Sequence, residues 1–330
     1  KVERGVGQDG AFQMQVQLDL ARKNGIILPA CEKVDDLYSY RDLGDFLEVY
    51  SAIAQAVVDV DDFRRITYEM LRSSVSSGAR YVEFFISPHA HEGIDFAVQF
   101  EGIRRGIKDA QTDFGLMSRF SPGINREQGP AAAEVYLDEI LKNRCDELVG
   151  LGLDYLEAPY PPEPFAEVFA RARREGLHAT AHCGESGPAQ YIQGAMDALK
   201  IERIDHGYAV IDDPQLMRRC RDEGIMFTAC PTVSINTTRW PDLTDPVHPI
   251  RVMKEAGLVV TIHSDDPPMF FTDLRQEYEK AHKQLGFSPA DLGCSVLAGL
   301  QHSWLDETTK RAWHQEWKRE IEGLLRRLAD

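Results

Sequence analysis

Apolar positions along this chain fall into two alternating rhythms. Short runs that are apolar on both faces read as strands of a buried parallel sheet. They are Tyr81 to Ile86, Phe114 to Met117, Leu148 to Leu153, Leu177 to His182, Arg203 to His206, Ile225 to Thr228 and Leu258 to Ile262. An eighth strand is expected near Val2 to Val6. Between the runs the spacing turns helical. Phe165, Val168, Phe169 and Ala172 share one face, and Gly176 marks the stop. Asp213 followed by Pro214 reads as an N-cap with proline at the first helical position. Leu216, Met217 and Cys220 form that helix's inner stripe, and Gly224 closes it. Pro249 to Ala256 is a short helix ended by Gly257. Trp313, Trp317, Ile321, Leu324, Leu325 and Leu328 form a broad stripe near the carboxyl end, expected to pack against the strands.

Eight strands interleaved with helices predict an α/β fold, a closed (β/α)8 TIM barrel. One domain over residues 1–330 is expected, with extra helical material between the first and second strands serving as a lid or flank. A doubly wound open sheet is the alternative, and Gly5-x-Gly7-x-x-Gly10 does match the bare dinucleotide-loop pattern. Asp9 inside it would repel a pyrophosphate, and the following segment lacks a βαβ context.

Composition narrows the function. The 330 residues carry a formal net charge of −16, which argues against a nucleic-acid partner. The six cysteines show no paired metal spacing and suit reduced thiols. No run reaches the ~18 apolar residues of a membrane span, and the first residues lack a signal peptide's apolar core. A cytoplasmic protein acting on a small molecule is expected.

Polar residues gather where strands end. His182-Cys183-Gly184-Glu185 closes the fifth strand, His206-Gly207-Tyr208 the sixth, and His263-Ser264-Asp265-Asp266-Pro267 the eighth. In a barrel these ends converge on one face. Carboxyl groups and imidazoles together there form a general acid/base set. Adjacent Asp265 and Asp266 repel each other unless one is protonated, metal-bound or hydrogen-bonded.

These motifs, with Tyr81-Val82-Glu83 to Ser87-Pro88, Pro162-Glu163-Pro164-Phe165 and the C-P-T at Cys230, make the chain similar nearly end to end to the adenosine and adenine deaminase family. The resemblance implies roles. His182 and Asp265 match zinc ligands, and Glu185 matches the acid that protonates a purine ring nitrogen. His206 matches the histidine that orients or deprotonates the attacking water. Asp266 matches a carboxylate that bonds the substrate ring, and Asp9 an acid near a sugar hydroxyl. His263 stands where relatives often have asparagine and could pair with Asp265 or contact substrate. Relatives acting on adenosine tend to place a glycine after the fourth strand. Here Asp154 to Pro159 puts Glu157 there, a candidate substrate contact.

The chain departs from the family at its first strand. There the family carries H-x-H, two further zinc ligands. Here the context reads Lys1-Val2-Glu3-Arg4-Gly5-Val6-Gly7-Gln8-Asp9-Gly10, with glycine at both places. A catalytic zinc needs about three protein ligands plus water, so no cofactor is expected, or zinc held weakly by His182 and Asp265. His89 and His91 lie in a loop, where a surface or substrate contact is expected. Cys183 is expected to be a small packed residue rather than a nucleophile.

The leading expectation is a metal-independent enzyme using Glu185, His206 and Asp265 as catalytic groups, with Asp266, Asp9, His182, His263 and Glu157 as substrate contacts. Its reaction would be addition, elimination, cyclisation or deamination of a small nitrogen-rich substrate. The alternatives are a zinc-dependent adenosine or adenine deaminase with a rebuilt site, and a non-catalytic binding barrel.

Overall fold

The computed structural model describes residues 2–7, 14–28 and 38–329. Eight parallel strands pair in sequence order, β1 to β8. They are β1 Val2–Gly7, β2 Tyr81–Ile86, β3 Met117–Asn125, β4 Gly150–Asp154, β5 His178–Cys183, β6 Arg203–His206, β7 Met226–Ala229 and β8 Val259–Ile262. A helix or helical turn covers each crossover, as parallel pairing requires. The fold is the expected (β/α)8 barrel, and seven of the expected strands fall within about three residues of their places.

The third strand is a correction. The apolar run Phe114 to Met117 spans a helix end, a turn and a strand start. Phe114 closes the helix that begins at Phe96, and Gly115 caps it with φ +68°. The strand itself runs from Met117 to Asn125 through Ser118, Arg119 and Ser121. A continuous apolar run does not reveal where a helix hands over to a strand.

The helices α1 Met14–Asn24, α2 Leu43–Ala54 and α3 Val60–Ser76 form the extra material before β2. Asp42 and Asp59 cap α2 and α3 by accepting from the backbone N–H groups of Asp45 and Asp62. α2 lies over the barrel mouth, where Leu43, Phe46, Leu47 and Tyr50 line the central cleft. The remaining helices are α4 Phe96–Phe114, α5 Gly129–Lys142, α6 Ala166–Arg174, α7 Ala189–Gly194, α8 Pro214–Asp222, α9 Pro231–Thr237, α10 Pro249–Glu255, α11 Leu274–Lys283, α12 Pro289–Gln301 and α13 Glu307–Ala329. Asp213 caps α8 through the N–H groups of Gln215 and Leu216. Trp317 is buried with Tyr81, Leu300 and Leu305, and Trp313 stacks on it at 5.4 Å. Among the described residues no helix is long and apolar enough to cross a membrane.

The barrel end opposite the mouth is closed by an ion pair. Arg203 Nη1 lies 2.5 Å from Glu83 Oε2, and both side chains are almost fully buried. The Glu83 Oε1 atom also accepts from the Tyr81 hydroxyl and the Trp304 backbone N–H, each at 2.7 Å. The Arg203 guanidinium sits 3.6 Å over the Trp304 ring. Removing one partner would strand a buried charge, at a cost of about 3–5 kcal/mol. Glu83→Ala is therefore expected to lose about that much in urea unfolding. A loss below about 1 kcal/mol would show that the pair does not hold the barrel base.

Candidate active site

The strand ends deliver their polar residues to one narrow cleft, a cavity of about 60 Å³ between the barrel rim and α2. Asp154, His182, Glu185, His206, Asp265 and Asp266 line it, facing the apolar or aromatic Phe46, Phe85, Tyr155 and Val233. The backbone is strained where these groups are presented. Among the described residues, His206 (φ +65°), Asp265 (φ +60°) and Tyr155 (φ +71°) are three of five non-glycine residues in the left-handed region. Such strain persists only where surrounding structure enforces it. Gly207, at φ +72°, follows His206, and a Cβ there would meet the Phe227 ring at 2.4 Å. Only glycine fits this turn.

His206 is central. Its Nε2 lies 3.6 Å from Asp265 Oδ2 and 3.8 Å from Glu185 Oε2. Its ring is 5.0 Å from that of His182. The Thr237 hydroxyl donates to Glu185 Oε1 at 2.6 Å. Behind His206, buried Asp205 accepts from Thr180 and Thr228, while the Thr228 hydroxyl oxygen receives the His206 backbone N–H at 3.4 Å. The imidazole Nδ1 of His182 has no hydrogen-bond partner among the described residues and lies 3.7 Å from Asp154 Oδ1.

Burial sets the protonation of these groups. Loss of water pushes Asp265 well above the usual carboxylate range, and the charges of Asp266 and Glu185 add to it. Burial also raises Glu185, although the Thr237 hydrogen bond pulls the other way. Burial, then His182, lowers the His206 imidazole to about 3. For His182, burial pulls down, but Asp154, Asp205 and Glu185 together outweigh it and the net shift is upward. Burial and crowding thus bias Glu185 and Asp265 toward their protonated forms and His182 toward its cation, and leave His206 neutral.

Two expected substrate contacts are placed elsewhere. The Glu157 carboxylate is fully buried. Its Oε2 accepts from the Gly184 N–H at 2.6 Å, and its Oε1 accepts from the N–H groups of Glu185 and Ser186 at 2.7 and 2.9 Å. Glu157 thus clamps the loop that carries Glu185, because three adjacent amides outcompete a ligand for its two oxygens. His263 is buried and its Nε2 meets the Thr261 hydroxyl at 2.7 Å, back along its own strand. His89 and His91 are not surface groups. His91 is buried against the Phe63 ring at 4.7 Å, and His89 packs on Tyr155 at 4.6 Å. Cys183 is buried, with burial raising its thiol well above the usual range, so it is a packed residue. Asp9 lies outside the described residues.

Sequence reasoning missed Asp154, Thr237 and Arg126. Asp154 ends β4, and a carboxylate at the carboxyl end of a barrel strand is a readable signal. Arg126 is buried beneath the cleft and donates to the carbonyls of Asp154, Leu153 and His182. Nothing local in the sequence singles out Thr237 or Arg126.

For a metal, three donor groups among the described residues lie within 4.8 Å of one another: His206, Cys230 and Asp265. His182 is outside that group, and Gly5 and Gly7 of β1 add no donor atom.

A parallel barrel whose imidazoles and carboxylates meet at the strand ends defines an amidohydrolase-type enzyme. The adenosine deaminase family profile matches residues 1–319. The adenine deaminase of Cupriavidus necator is 36% identical over 325 residues, covering 92% of each chain. That of Acinetobacter baylyi is 30% identical over 320 residues, covering 96% of each. The crystal structure of an adenine deaminase from Arthrobacter aurescens superposes with a TM-score of 0.92 at 29% identity, covering 97% of this chain and 98% of that one. A zinc-bound amidohydrolase from Burkholderia ambifaria gives 0.92 at 35% identity, covering 100% of this chain and 92% of that one. The chain belongs to the adenosine deaminase family, a family of deaminase enzymes.

The clamp predicts that Glu157→Gln, which replaces one acceptor oxygen by a donor, displaces the Glu185 loop. A misplacement of about 1 Å costs about 100-fold in rate. Turnover should fall by about that factor while the melting temperature stays within a few degrees. An unchanged rate would remove Glu157 from the site's support.

Proposed function

We propose that the chain deaminates a small nitrogen-rich heterocycle of the adenine type, using proton transfer without a firmly held zinc. The observation that carries this reading is the trio Glu185–His206–Asp265, with both carboxylates within 4 Å of one imidazole nitrogen. The identity to adenine deaminases supports the substrate class.

Zinc does not fit the family's arrangement here. By the resemblance, two of four ligands come from the first strand, where this chain has Gly5 and Gly7. His182 and Asp265 alone fall short of the three ligands that a catalytic zinc needs. The remaining residues supply a chemistry of their own. Glu185, biased toward its acid form by burial, gives its proton to a ring nitrogen and makes the adjacent carbon electrophilic. Asp265, raised above an ordinary carboxylate, is the stronger base; it takes the proton of the attacking water as the C–O bond forms and passes it to the amino group. The C–N bond then breaks, ammonia leaves, and the new hydroxyl's proton returns to Glu185 as the carbonyl forms. Neutral His206 stands between them and orients that water. Asp266 accepts from a ring N–H, and the aromatic walls hold the ring flat. General acid and base catalysis supply about 10²–10⁴-fold, so turnover is expected below the median of about 10 s⁻¹ for enzymes.

Ammonia release from adenine is the test, with metal content measured on protein purified in added zinc. Turnover that survives a chelator, in protein with less than about 0.1 zinc per chain, is expected. Stoichiometric zinc with chelator-sensitive turnover would favour a second reading, in which His206, Cys230 and Asp265 hold a rebuilt metal site. No turnover of any purine would reject both.

The pH profile has a definite sign. The competent state keeps the proton on Glu185 and leaves Asp265 ionised, although burial and neighbouring charge push Asp265 further up than Glu185. That state is therefore a minority form, with the acid limb set by Glu185 and the alkaline limb by Asp265. Both groups are raised, so both limbs of kcat/KM should lie above the ordinary carboxylate value near 4. Asp266→Asn removes a like charge beside Asp265 and should move the alkaline limb to lower pH and raise the plateau. An alkaline limb that moves upward would contradict the assignment of Asp265 as base.

A further inference from the structure

We propose that Thr237 is a positioning residue that latches Glu185 in its proton-donating orientation. This rests on the reading of Glu185 as the proton donor.

Glu185 stands in a wall between two spaces. On one side is the central cleft with His206 and Asp265. On the other is a second cleft, lined by Ser186, Gln190, Asp212, Arg239 and Trp240, and Glu185 and Thr237 border both. The Glu185 side chain therefore has somewhere else to turn. Its backbone N–H is fixed by Glu157, but that bond does not choose the side-chain rotamer. The Thr237 hydroxyl makes the choice. It donates to Oε1 at 2.6 Å, closer than its alternative acceptor, the Val233 carbonyl at 3.1 Å. With Oε1 occupied as an acceptor, the acid's proton resides on Oε2, the oxygen 3.8 Å from His206 Nε2.

The same bond serves the chemistry. When Glu185 protonates a ring nitrogen, its Oε2–H bond breaks, the ring N–H bond forms, and the electron pair stays on the carboxylate. A hydrogen bond to a carboxylate is stronger than one to a carboxylic acid. Donation from Thr237 therefore stabilises the charge as it develops, with little effect on the state before transfer.

Thr237 is itself held firmly. It is the last residue of α9, whose first turn is anchored by buried Glu277. Glu277 Oε2 accepts from the Thr232 N–H at 2.8 Å, and Oε1 accepts from the Thr232 hydroxyl. The latch thus stands on a short helix tied down at its far end. Val233 and Thr237, one turn apart, present the same face to the central cleft.

Thr237→Val keeps the shape and removes the hydroxyl, and Thr237→Ser keeps the hydroxyl and removes the methyl. In Thr237→Val, kcat should fall about 10- to 100-fold with KM within about twofold. Thr237→Ser should recover most of the loss. Wild-type kcat in Thr237→Val would overturn the proposal, as would a Thr237→Ser variant as slow as Thr237→Val. The crystal structure of Thr237→Val gives a readout independent of turnover. Glu185 should leave its place and turn toward the second cleft, whereas an unmoved Glu185 would overturn the latch even if no substrate had been found. Failure of wild-type turnover with a displaced Glu185 would sink the deaminase reading and leave the latch standing.

Discussion

Carboxyl groups crowd a cleft that water reaches poorly, and burial there disfavours the charges of Glu185 and Asp265. Asp154, Glu185, Asp265 and Asp266 line that space together. Like charges at this range, in a medium of low effective dielectric, repel by several kcal/mol. The rest of the site answers to that constraint. Glu185 and Asp265 are pushed toward their protonated forms. His182 is drawn toward its cation by Asp154, Asp205 and Glu185. Buried Arg126 sits below, its charge facing Glu157 and Asp154. An enzyme that must move protons has them stored where the substrate arrives.

The scaffold keeps this arrangement from relaxing. The Glu157 carboxylate fixes the loop after β5, and the Asp205 network fixes the end of β6. At Gly207, directly after His206, the Phe227 ring leaves no room for a Cβ in the left-handed turn. At the other end of the barrel, the Glu83–Arg203 pair serves the fold. The two ends divide the work as parallel barrels do, with stability at the strand starts and chemistry at the strand ends.

Family membership and the first strand pull in different directions. The whole chain aligns with adenine deaminases, and a zinc-bound structure superposes on all of it. Yet β1 places glycine where the resemblance expects metal-binding histidines.

Much of this protein was readable along the chain. Period and punctuation located the strands, because a strand buried on both faces must be apolar throughout and must end at a turn. The clusters at His182, His206 and Asp265 were legible because strand ends in a barrel share one rim. The third strand was misplaced, since an apolar run is the same on either side of a helix end. Glu157 and His263 were read as substrate contacts. Their position in the sequence is right for that, and only the fold shows that three amides and a threonine hydroxyl claim them first. His89 and His91 looked like loop histidines until aromatic rings from other segments closed around them. Thr237 carried no local signal, since its meaning is a 2.6 Å contact with a residue 52 positions away. The sequence by itself determined which chemical groups this protein owns and which end of the barrel carries them. The tertiary structure alone decided which of those groups face the cleft and which hold a proton, because burial and neighbouring charge are properties of packing and not of order along the chain.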